Sequence, residues 1–213
     1  MSGSWTSIAA TLVVVSALAA LWRREVSALV RIVALQGASV ALVALSLGIS
    51  LRDGALLGAG LLVLVVKAGA VPWVLSRTLR QLSKEREMSP LVNVPSSLLV
   101  GLALVGVAVF ATRSLVSLDP SRDVALVPFG VATSVLGYFL VVSRRRAVSQ
   151  IVGLVMVDNG IAVSTFLLTG GVPTVLELGG SLDVLLIVVI LRGVRLAGSL
   201  SDFDLSERRE LRE

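Results

Sequence analysis

Seven apolar runs of about 20 residues, separated by short clusters of charge, leave this 213-residue chain few ways to fold. They cover residues 5–22, 28–48, 54–75, 94–112, 124–142, 148–168 and 174–195. A helix needs about 20 apolar residues to cross a bilayer, whereas a barrel strand needs about 10 and alternates in polarity. The pattern predicts an all-α, polytopic membrane protein of about seven transmembrane helices. Composition agrees: 55% of residues are hydrophobic and only 15% are charged, against about 25% charged in ordinary soluble domains. No positive region precedes the first run, so it reads as a retained helix and not as a cleaved signal.

The basic residues orient the predicted spans. Arg23, Arg24 and Arg31 follow span one; Arg77, Arg80, Lys84 and Arg86 follow span three; Arg144, Arg145 and Arg146 follow span five. Arg192, Arg195, Arg208, Arg209 and Arg212 close span seven and fill the tail, while the alternate loops hold only Arg52, Arg113 and Arg122. The positive-inside rule then puts the N-terminus outside and the C-terminus in the cytoplasm, in agreement with an odd number of spans. The same rule accounts for the net charge of +5, so nucleic acid is not an expected partner. The organisation reads as a three-helix segment over 1–93, a fourth helix and outer loop over 94–123, a second three-helix segment over 124–198 and a cytoplasmic tail over 199–213. The tail reads equally as a short surface helix through Leu205 and Leu211 or as a frayed end.

The chain contains no cysteine and no histidine. Cysteine-ligated iron–sulfur clusters, the usual zinc sites and histidine-ligated haem therefore lose their ligands, as does cysteine or histidine catalysis. No metal, cofactor or catalytic centre of its own is expected.

Against this background, three ionisable residues stand at mid-depth. Asp158 lies about ten residues, or roughly 15 Å, inside span six, and Asp183 lies equally deep in span seven from the other side. The short link around Gly170–Pro173 makes these spans antiparallel neighbours. Lys67 lies near the centre of span three. A charge at the bilayer centre is expensive, about 2.5–3.5 kcal/mol on insertion scales. Low dielectric disfavours a charged carboxylate, while a nearby cation favours it, and a group balanced between the two exchanges protons readily. This is the chemistry of a proton relay. The alternative is a set of buried acids satisfied by Asn159, Ser164, Ser181 or a partner subunit, with Lys67 paired statically to an acid. Pro72, five residues after Lys67, cannot donate to the carbonyl of Ala68 and is expected to break the helix there. Glu177 lies about one turn inside the outer end of span seven, as a half-channel entrance or at headgroup level. Gln36 is placed to bond across helices, Arg31 to extend towards the headgroups, and Gly58, Gly60, Gly69, Gly101, Gly106, Gly179 and Gly180 to allow close helix packing.

The stretches 66–75 (VKAGAVPWVL), 142–160 (VSRRRAVSQIVGLVMVDNG), 173–191 (PTVLELGGSLDVLLIVVIL) and Phe203-Asp204-Leu205 carry a resemblance over nearly the whole length. The chain resembles component E of hydrogenase-4, a membrane subunit of energy-converting group 4 nickel–iron hydrogenase complexes. The pattern is a lysine five before a proline, an acid-Asn-Gly, a Leu-Glu-Leu-Gly and a second acid six residues after that glutamate. The last three spans are also similar to subunit K of respiratory complex I and to the C component of Mrp-type antiporters. The resemblance implies that Asp158 stands where that family usually has a glutamate, and Asp183 at a second such acid, both on a proton path. It also implies quinone-dehydrogenase-like and antiporter-like subunits as partners in the bilayer, with redox centres on other chains. A structural membrane adaptor and a stand-alone small-solute transporter remain the alternative readings.

Overall fold

The computed structural model describes residues 2–23, 25–81, 93–119, 121, 123–145 and 147–170. Among these the secondary structure is helical: α1 (Ser2–Trp22), α2 (Val26–Leu51), α3 (Gly54–Val63), a π-helical segment (Leu64–Ala70), α4 (Val71–Gln81), α5 (Val94–Leu118), a 3-10 turn (Val124–Leu126), α6 (Val127–Ser143) and α7 (Ala147–Thr169). Six stretches are long and apolar enough to cross a membrane, at Ser4–Trp22, Ser27–Leu51, Gly54–Arg77, Val94–Leu118, Val124–Ser143 and Ser149–Thr169. This is the build of a multi-pass membrane protein, and the six stretches match the first six predicted spans. The seventh, with Glu177, Asp183, Gly179 and Gly180, lies outside the described residues, as does the tail.

The centre of the bundle is formed by α1, α2, α6 and α7. Helix α2 packs against α1, α7 and the whole third span, while α5 leans on α6 and α1. The third span and α5 are peripheral and mostly exposed. Among the described residues their Leu61, Leu62, Val65, Leu99, Leu102 and Phe110 are exposed, as suits helices in an apolar surrounding. Trp5 and Trp22 flank α1, and Trp73 lies beneath the Arg77 guanidinium at 5.7 Å near the end of the third span. Amphipathic rings at span ends fit the interface with the headgroups.

Between α2 and α3 the chain reverses within two residues. Arg52 takes the left-handed conformation (φ 55°) and its amide donates to the Gly48 carbonyl. Asp53 then accepts from the amides of Ala55 (2.8 Å) and Leu56 (3.3 Å), capping α3. The side-chain oxygen satisfies amides that a helix start leaves open, which matters more where water is scarce.

Close packing comes from a different set of glycines than the spacing suggested. Gly130 and Gly137 on α6 face Gly160 and Gly153 on α7. A Cβ on Gly137 would lie 2.7 Å from the Gly153 carbonyl oxygen, and one on Gly160 would lie 2.5 Å from both the Gly130 carbonyl oxygen and the Ser134 amide. The two backbones are in direct contact, in the small-residue manner of membrane helices. Gly37 on α2 likewise abuts the Lys67–Ala68 peptide. Of the glycines expected at interfaces, Gly60 and Gly101 are confined by Leu45 and by Leu21, whereas Gly58, Gly69 and Gly106 have nothing within 4 Å. They lie on the peripheral spans, where no described helix faces them.

The third span also corrects the expected break at Pro72. The helix runs on from Gly54 through Gln81, widened into a π-helical turn just before the proline. The Val71 amide donates to the Val66 carbonyl, five residues back. One extra residue in the turn absorbs the ring of Pro72 without ending the helix.

Candidate functional site

Lys67 stands within the π-helical turn, and its ammonium binds Oδ2 of Asp158 on α7. The lysine side chain is only 4% exposed and the aspartate 16%. Sequence spacing put both groups at mid-span; the structure brings them into contact across 91 residues of chain. Two features aim them at each other. Gly37 lets α2 settle against the Lys67 backbone, and the Gly130–Gly160 contact fixes the rotation of α7 two residues beyond Asp158. Ser134 on α6 adds a hydrogen bond to the carbonyl of Val157, at 3.1 Å, immediately before the aspartate.

A second polar chain starts at the next residue of α7. Asn159 donates from Nδ2 to Oε1 of Gln36 (3.1 Å), and Gln36 donates from Nε2 to the Val13 carbonyl (3.2 Å). Both amides are wholly buried. The expectation that Gln36 bonds across helices is met twice, towards α7 and towards α1. Residues 67, 158, 159 and 36, with the Val13 carbonyl, thus join four elements through buried polar groups. Of the groups considered as partners for the buried acid, Asn159 is occupied by Gln36, and Ser164 donates to the Gly160 carbonyl (3.0 Å).

Chemically, an ammonium and a carboxylate held together away from water form a pair that is strong only while both are charged. A relay built on such a pair would work by weakening this attraction when the carboxylate takes up a proton. The geometry equally suits a fixed strut between the third span and α7. Asp183 and Glu177 lie outside the described residues, and their relation to this pair is not part of the described structure.

Charge counting placed Arg144 among the loop cations and gave no sign of its burial. Arg144 is 3% exposed, and its Nη2 donates to the carbonyls of Leu21 (2.8 Å) and Arg23 (3.4 Å). It caps the C-terminal end of α1, where helix carbonyls and the helix dipole favour a cation. Nothing in a run of three arginines marks one of them for burial. The glycine contacts were findable: 130/137 and 153/160 repeat at seven-residue spacing in adjacent spans, so each pair lies on one helix face.

A protein of Mycobacterium tuberculosis (strain ATCC 25618 / H37Rv), named "Uncharacterized protein Rv0085", is 43% identical over 196 residues, 90% of this chain and 89% of that protein. The chain belongs to the same family. The likeness extends over about nine-tenths of both sequences and is not confined to one short segment. No protein-family model and no solved structure matches the chain.

Proposed function

We propose that this protein is a non-redox membrane subunit of a multisubunit, complex I-like hydrogenase or related oxidoreductase, and that its buried Asp158 and Lys67 take part in proton or sodium translocation. Asp183 and Glu177 complete the relay in this reading. The observation that carries it is the Lys67–Asp158 pair, which links the N-terminal three-helix segment to the subunit-K-like segment at mid-span. A buried ionisable residue in a membrane helix marks a functional site by default, and here two occur as a pair. The sequence likeness to hydrogenase-4 component E supplies the setting: the prokaryotic cytoplasmic membrane, N-terminus outside, between quinone-dehydrogenase-like and antiporter-like subunits. Protonation of Asp158 during turnover weakens its hold on Lys67, and the freed ammonium biases the next acid towards its charged form.

The direct contact of the two groups also favours a second reading, a structural adaptor whose ion pair only ties helices together. Asp158→Asn and Lys67→Met in the assembled complex separate the two. Sealed vesicles are supplied with the electron donor of the complex, and proton uptake is followed with a pH-sensitive dye at two sodium concentrations. The relay reading expects gradient formation lowered at least tenfold per assembled complex, counted after any loss of assembly. Full uptake by both assembled variants refutes the relay and leaves the adaptor. A purified single chain that moves solute alone refutes the subunit reading altogether.

A further inference from the structure

We infer that the junction of α1, α2 and α7 holds one internal water molecule, bound as a hydrogen-bond donor to Oδ1 of Asn159. A backbone carbonyl sets the order of the polar groups here. The oxygen of Val13 accepts and cannot donate, so the side-chain amide of Gln36 must turn its Nε2 towards it, at 3.2 Å. That leaves Gln36 Oε1 facing α7, and only the nitrogen of Asn159 can satisfy it, at 3.1 Å. One carbonyl on α1 therefore fixes the orientation of two amides on two other helices. Reversing either amide would oppose two oxygens.

This order commits the Asn159 nitrogen and turns its oxygen away from Gln36. Oδ1 is then a strong acceptor on a wholly buried side chain, and among the described residues it is the one buried side-chain oxygen with no hydrogen-bond partner. Buried amide oxygens are almost always paired, with protein or with ordered water. In a membrane interior no bulk solvent compensates, so a donor has to be held there. A metal cation does not fit, because such ions gather about six oxygens and one is on offer. A single water does fit: it donates one hydrogen to Oδ1 and has its other hydrogen and lone pairs for nearby backbone groups. Asn159 follows Asp158 directly, so the site stands within about 1.5 Å of the ion pair's level along α7. The inference holds whether or not Asp158 moves protons.

The test uses the full-length protein in lipid nanodiscs. A density map that resolves ordered water should show a peak about 3 Å from Asn159 Oδ1. Infrared spectra in H2O and in water labelled with oxygen-18 should show a shifted O–H stretch of an isolated buried water in the native protein. That band should be lost in Asn159→Leu, which keeps side-chain size and removes the acceptor. A side chain or lipid atom seated against Oδ1 in the map, empty space there, or a band that survives Asn159→Leu overturns the inference. Should the variant fail to fold, the map of the native protein decides alone.

Discussion

Replacing Gly160 by alanine tests the α6–α7 contact that sets the direction of Asp158. The new Cβ would stand 2.5 Å from the Gly130 carbonyl oxygen and from the Ser134 amide nitrogen, whereas ordinary contact begins near 3.4 Å. The shortfall is roughly 1 Å; the Ser134 hydroxyl, nearest of all, could turn aside, but the two backbone atoms cannot. The helices must part along their length, with loss of the neighbouring Gly137–Gly153 contact. Overpacking of this kind costs about 1–3 kcal/mol, and the intrinsic preference of a helix for alanine over glycine returns about 0.5–1 kcal/mol. A net loss of about 1–2 kcal/mol is expected. Gly58→Ala and Gly106→Ala meet nothing among the described residues, so they keep only the helix term and should be neutral or stabilising by up to about 1 kcal/mol. Unfolding in mixed micelles of mild detergent and SDS, followed by circular dichroism, compares the three. A Gly160→Ala variant as stable as the native protein, or a Gly58→Ala variant equally damaged, refutes the assignment of contact and open faces.

Three further expectations follow from the polar groups. Lys67→Met and Asp158→Asn should each destabilise, by up to about 3–5 kcal/mol where the remaining charge stays buried, while the double variant recovers much of the loss; additive effects in the same unfolding assay would argue against a direct pair. Asp53→Ala removes the cap of α3 and should lower stability by about 0.5–2 kcal/mol, with faster amide exchange at Ala55 and Leu56 as the local readout. Arg144→Met should cost about 1–3 kcal/mol by stripping donors from the end of α1, and Arg144→Lys should restore little, since a lysine lacks the planar fork; full rescue by lysine would show that charge alone matters.

Much of the architecture was legible because hydrophobic length is a strong signal that tertiary contacts rarely override. Six of the seven expected spans fall on helices of matching extent. Mid-depth placement of Lys67 and Asp158 also followed from counting residues. Their contact did not, since rotation about a helix axis depends on neighbours: here the glycines at 37, 130 and 160 set it. Pro72 shows the converse. Its missing amide was certain from sequence, but whether the helix breaks or widens depends on slack elsewhere, and a peripheral span has room to take an extra residue per turn. Gly58, Gly69 and Gly106 meet no neighbour among the described residues, since a small residue is compatible with both a tight interface and an open one.

Arg144 is a clasp between parts of the chain at least 121 residues apart. Its guanidinium, almost wholly covered, grips carbonyls at the end of the first helix. The last turns of α1 and α6 therefore lie at the same end of the bundle, and the start of the chain is fastened to the point where α6 hands over to α7.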